Sequence, residues 1–315
     1  MAHSTPIVTW HLLCLNGQDL PWKGLRMIRI GASTANFYPE PTEKALDHVL
    51  SCGFRTLEVF VNTESELSPR FTHMLRQKAD AAGARIVSLH PYSSGYEPFL
   101  LYSAYARRFE DGKALYTRFF EAAAELAARK SYRGCGLGAR MVEELGRKAA
   151  ELGASIVVMH GDRQDSVLPM EESISRFEEL YDCGVRYGVR LAQENVVRFR
   201  SSDNAYLRAM RDRLGEKAHF VLDLKQAVRC GHTLDDVIGA MGEHIAHVHV
   251  SDHDAERDCL PPGRGETDFQ RLISRLREQR FHGTMVVELY RGNFEKAQDL
   301  VDSRLFLEEQ IFQIM

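Results

Sequence analysis

Seven histidines and carboxylates in this sequence sit within or at the ends of short apolar, β-branched runs. They are Glu58 in TLEVFV, His90 in RIVSLH, His160 in SIVVMH, Glu194 in RLAQEN, Asp223 in HFVLD, His249 in IAHVHVS and Glu288 in TMVVEL. A carboxylate at the edge of an apolar run is expensive to bury unless a cation receives it. Glu194, Asp223, His249 and Glu288 follow one another at 26 to 39 positions. That is the spacing of successive strand–helix units, so consecutive strands would bring all four to one axial pocket. Three carboxylates crowded together repel and raise one another's pKa unless a cation screens them. With one imidazole they form a mostly hard-oxygen set suited to one divalent ion: Mn²⁺, Mg²⁺ or Co²⁺, with Zn²⁺ also compatible. Glu194 and Glu288 fall about half a ring apart and are expected to serve as opposed acid and base.

The elements that must position these groups are legible as alternation. Eight candidate strands begin at residues 27, 56, 85, 155, 190, 219, 245 and 284. Between them, PTEKALDHVLSCG, PRFTHMLRQKADAAG, MEESISRFEELYDCGVRYG, NAYLRAMRDRLG and DFQRLISRLREQ carry apolar residues at helical spacing, several closing on a glycine. Eight strands with intervening helices predict a closed (β/α)₈ TIM barrel, and no Gly/Ser- or Pro-rich linker divides it. One domain over 27–315 is expected, preceded by an extension over 1–26. The unit from His90 to His160 is about twice the usual length. It opens with the aromatic segment PYSSGYEPFLLYSAYARRFEDG, read as a loop that either covers the substrate or packs as a short helix. GCGLG follows a helical stretch rather than a strand, so it reads as a loop and not as a dinucleotide turn.

Composition narrows the function classes. The chain has 315 residues, 44% hydrophobic and 27% charged, with a formal charge of -4. These values fit a globular protein and give no general polyanion-binding surface, so neither nucleic acid nor a membrane is the expected partner. The apolar run near the N-terminus is too short to span a bilayer. Six cysteines form no CxxC pair, which suits a reducing, cytoplasmic setting.

The strand endings SLHPY, VVMHG, AQENV, VLDLKQA, HVHVSD and VVELY, with LPPGRGETDF between the last two, resemble the xylose isomerase-like barrels. That superfamily includes sugar isomerases, sugar epimerases and an apurinic-site endonuclease branch. The resemblance runs from Met27 to about Phe312. It implies Glu194, Asp223, His249 and Glu288 as the set of a single-metal isomerase or epimerase, and it matches His90 and His160 to histidines that bind additional metals in the nuclease branch and contact substrate in the sugar branch. Asp252, three residues after His249, is expected to orient the following loop. Two departures stand out. The usual D-x-x-H after the sixth strand ends here in Gln226, and the nuclease branch's D-x-H before LPPG is replaced by Arg257 and Cys259. Glutamine can hydrogen-bond a hydroxyl but cannot trade protons near neutral pH.

These readings converge on a metal-dependent sugar or sugar phosphate isomerase or epimerase. It would abstract a proton next to a carbonyl and pass through a metal-stabilised enediolate. Gln226, Lys225, Arg264 and Glu58 complete the expected substrate pocket, Lys225 and Arg264 as cations for a carboxylate or phosphate. The expected partner is a small carbohydrate, with a homo-oligomer left open. The alternatives are a lyase or dehydratase on an inosose, keto-polyol or C-glycoside, then an endonuclease-like phosphodiesterase, then a non-catalytic barrel subunit.

Overall fold

The computed structural model describes residues 28–127 and 155–314. The expected extension over 1–26 and the GCGLG loop lie outside the described residues. Eight parallel strands close in chain order: β1 (Arg29–Ser33), β2 (Thr56–Phe60), β3 (Arg85–His90), β4 (Ile156–Met159), β5 (Arg190–Glu194), β6 (Phe220–Asp223), β7 (Ile245–Val250) and β8 (Thr284–Val287). The ring closes where Arg29 to Ala32 of β1 pair with Thr284 to Val287 of β8. The expected (β/α)₈ barrel is thus the observed one.

Strand periodicity explains why polar side chains gather inside. Alternate residues of a strand face the barrel interior, where Ile156, Val158, Ala192 and Val221 form a small apolar plug. Two residues further along the same inward rows come His160, Glu194 and Asp223. The intervening residues Val157, Met159, Leu191, Phe220 and Leu222 face outward into the larger core beneath the helices. The plug therefore supports a polar layer at the C-terminal mouth of the barrel.

All five expected helices form: Thr42–Ser51, Pro69–Ala81, Met170–Val185, Asn204–Leu214 and Phe269–Glu278. Leu224–Arg229, Leu234–Met241 and Ala297–Ile314 are further helices, and the aromatic segment needs correction. Its C-terminal part is not loop: a helix runs over Ala106–Ala127 and buries Phe109, Tyr116, Phe119, Phe120, Ala123 and Leu126. Before it, a single turn at Glu97–Leu100 leads into buried Leu101 and Tyr102, while Tyr96, Phe99 and Tyr105 stay exposed. Glu97 anchors this segment to the barrel by accepting from Tyr116 Oη and from Gly161 N at 2.5 Å. Burial raises the Glu97 pKa, opposed by His160 and by these two donors.

Among the described residues, Cys52, Cys183, Cys230 and Cys259 are free thiols, and no helix is long and apolar enough to cross a membrane.

Candidate metal centre

Four adjacent elements deliver the four side chains to one place. Glu194 ends β5, Asp223 ends β6, His249 lies in β7, and Glu288 follows β8. One ligand atom from each lies within 4.8 Å of all the others. Around His249 Nδ1 stand Glu194 Oε1 at 3.1 Å, Glu288 Oε2 at 3.3 Å and Asp223 Oδ2 at 3.7 Å. Glu194, Asp223 and His249 are buried, and Glu288 is slightly open.

The backbone under these ligands is held by two buried asparagines that sequence reasoning missed. Asn195 Oδ1 accepts from Asp223 N at 2.7 Å, and Asn195 Nδ2 donates to Asp223 O at 3.0 Å. Asn36 brackets Glu288 in the same manner, donating to Val287 O at 3.0 Å and accepting from Leu289 N at 2.6 Å. This explains why β8 stops short of the expected TMVVEL run. Its last strand-like hydrogen bond goes from Glu288 N to Val250 O, and the next N–H is taken by Asn36.

Electrostatics keep the cage ionised. Burial pushes Glu194 upward, but His249, His160 and His90 together outweigh it and hold Glu194 well below the ordinary carboxylate range. Burial also opposes the His249 cation. Glu288, Glu58 and Glu194 overcome it and hold the imidazole well above its usual pKa. Asp223 is the exception: burial raises it despite Lys225.

The residues present fit a metal ion. An ion binding oxygen or nitrogen at about 2.0–2.4 Å separates opposite ligands by up to about 4.8 Å, and the four ligand atoms all lie within 4.8 Å of one another. Glu194 turns Oε1 toward His249 Nδ1 and Oε2 toward His160 Nε2. Three buried or nearly buried carboxylates meeting one imidazole form the donor set that a divalent cation would satisfy.

The remaining expected site residues fall into three groups. His90 and His160 line the Glu194 side, with Nε2 atoms 3.6 Å and 3.0 Å from Glu194 Oε2. Phe60 stacks on His90 and Phe199 packs edge-on against His160. Lys225 and Gln226 lie just after Asp223. Gln226 Oε1 accepts from Val197 N at 3.1 Å, which fixes the orientation of its amide.

Glu58 and Arg264 are not brought to a substrate space. Glu58 is fully buried behind His249, with Oε2 3.2 Å from both His249 Nε2 and His247 Nε2. Arg264 is exposed on the loop after β7, where Asp302 and Asp299 of the last helix take its charge. The acidic helix nearby, invisible in the local motif, is the reason.

The position of Glu58 has a chemical consequence. A carboxylate accepting from Nε2–H leaves Nδ1 as the atom facing the cage, which fixes ring orientation and makes the imidazole a better donor to metal. Glu58→Gln is therefore expected to weaken divalent-ion binding about 10- to 100-fold, measured by competition with a chelating dye. His247, also missed, was signalled by the His-x-His spacing that points both rings inward.

A sequence model described as the xylose isomerase-like TIM barrel matches residues 138–310, over half of the chain. The chain belongs to this family. No curated protein matches it in sequence. Among solved structures, a D-tagatose 3-epimerase-like protein superposes with a TM-score of 0.70 at 18% identity, covering 91% of this chain and 98% of its own. A D-psicose 3-epimerase from Clostridium cellulolyticum H10 gives 0.69 at 15% identity, over 90% and 99%. A 3-keto-D-glucoside 4-epimerase from E. coli gives 0.64 at 18%, over 90% and 99%. At these identities the likeness is one of fold, and the reaction must be argued from the site.

Proposed function

We propose that this xylose isomerase-like barrel is a sugar isomerase or epimerase that requires one divalent ion, Mn²⁺, Mg²⁺ or Co²⁺, held by Glu194, Asp223, His249 and Glu288. The observation that carries this reading is the convergence of those four groups on one point at the barrel mouth. The epimerase names of similarly folded proteins agree with it. When bound, the ion supplies Lewis-acid stabilisation of negative charge on a substrate oxygen.

The protein's own groups account for the proton transfers. Glu194 ends β5 and Glu288 follows β8, and each places a carboxylate oxygen beside His249 Nδ1. One removes a proton from the carbon beside a carbonyl, and the other delivers a proton to the opposite face or the neighbouring carbon. His90, His160 and the Gln226 amide provide hydrogen-bonding groups around substrate oxygens. Because the Gln226 amide has no proton to transfer near neutral pH, it orients a carbonyl or hydroxyl but does not relay protons.

The test is proton exchange in D₂O with ketoses, ketose phosphates and inososes, before and after removal of bound ions by chelation. Deuterium should enter a carbon-bound position with at least one of these classes, disappear on chelation and return with added Mn²⁺. Absence of exchange in all classes would overturn the reading. The substitution of glutamine at position 226 also favours a second outcome, a lyase or dehydratase that begins with the same abstraction. The product separates the two, being an unsaturated or cleaved compound instead of a stereoisomer.

A further inference from the structure

Both oxygens of Asp223 are engaged, one by a helix N-terminus and the other by a neighbouring cation. Its Oδ1 caps the helix Leu224–Arg229 by accepting from Gln226 N at 2.9 Å. Its Oδ2 accepts from the Lys225 ammonium. The same ammonium lies 2.7 Å from Glu288 Oε2, the oxygen that approaches His249 Nδ1 at 3.3 Å. Lys225 is only 5% exposed. It occupies the two carboxylate oxygens that Asp223 and Glu288 turn toward the cage.

We infer that Lys225 is a built-in counter-cation of the metal centre, which holds Asp223 and Glu288 together before an ion arrives and then competes with the ion for their oxygens. This rests on reading Glu194, Asp223, His249 and Glu288 as ligands. Three carboxylates without Lys225 would repel at close range in a low-dielectric pocket, so the ammonium stabilises the metal-free barrel. A dication entering beside it meets both repulsion from a fixed positive charge and the need to take over its hydrogen bonds. Lys225 thereby weakens the grip of the site on its ion while keeping the ligands gathered.

A residue that only organised the cage would have the opposite effect on affinity. Losing an organiser loosens the ligands and weakens metal binding; losing a competitor strengthens it. The experiment measures Mn²⁺ affinity by chelator competition and melting temperature with and without Mn²⁺, for wild type, Lys225→Met and Lys225→Arg. Lys225→Met should bind Mn²⁺ about 10- to 100-fold more tightly. It should melt lower without the ion and gain more from its addition, while Lys225→Arg stays near wild type. Unchanged or weaker binding by Lys225→Met overturns the inference and leaves the site standing. No Mn²⁺ binding by either wild type or Lys225→Met overturns the site as well.

A measurement on wild type covers failure of the variant to fold. Acetylation of Lys225 by an amine reagent, read by mass spectrometry, should rise when Mn²⁺ is added because the ammonium is released from its carboxylates. Mn²⁺ binding with unchanged acetylation of Lys225 overturns the inference.

Discussion

Glu288→Gln is expected to lower solvent-deuterium exchange by about 10³-fold, within the roughly 10²- to 10⁴-fold range of a lost acid–base group. Glutamine keeps the volume and one carbonyl oxygen, so the β8 end should still be held by Asn36 on both sides of position 288. What is lost is the carboxylate that faces His249 at 3.3 Å and receives Lys225 at 2.7 Å. The same substitution at Glu194 should have a loss of similar size. Two origins are distinguishable by titrating Mn²⁺. If the residue served only as a ligand, activity returns as the ion reaches saturation. If it moves the proton, the deficit persists in fully loaded protein, because an amide neither accepts nor releases a proton near neutral pH. Full recovery of both variants at saturating Mn²⁺ would contradict the assignment of the two carboxylates as acid and base.

The four proposed ligands were recoverable from sequence because a barrel strand is short and repetitive. Inward residues fall every second position, so a polar group at the end of an apolar run must arrive at the mouth. Val221 and Asp223 illustrate the rule: one belongs to the interior plug, and the other, two residues later, belongs to the cage. Long-range partners were not recoverable in this way. Asn36 reaches backbone around Glu288 across more than 250 positions, and nothing near Asn36 announces it.

Arg264 and Lys225 show the same limit for charge. Both are cations close to expected site motifs, and local spacing treats them alike. In the folded chain Arg264 meets Asp299 and Asp302 on the last helix, whereas Lys225 turns between Asp223 and Glu288. The helix Ala106–Ala127 was hidden for a different reason. Its aromatic positions at 109, 116, 119 and 120 do have helical spacing, but the Tyr- and Ser-rich stretch before them drew the whole segment into one loop reading.

Asp252→Ala is expected to cost about 3–5 kcal/mol of stability, since it leaves several partly buried N–H groups without an acceptor at roughly 1–3 kcal/mol each, less what water recovers. Asp252 Oδ1 accepts from His253 N at 2.9 Å and Thr267 N at 3.0 Å, and Oδ2 accepts from Gly263 N at 3.0 Å and Gly265 N at 2.9 Å. One carboxylate thus gathers the loop between β7 and the helix Phe269–Glu278. Gly265 is required for this approach: a Cβ there would lie 2.2 Å from His253 O and 2.6 Å from Asp252 Oδ1. Asp252→Asn should cost less than alanine, because one oxygen still accepts two of the four N–H groups while its NH₂ faces the other two. Denaturant unfolding monitored by circular dichroism gives the order wild type, Asn, Ala. Near-equal stability of wild type and Asp252→Ala would mean that the loop closes without its carboxylate, and that Asp252 has another role beside His249.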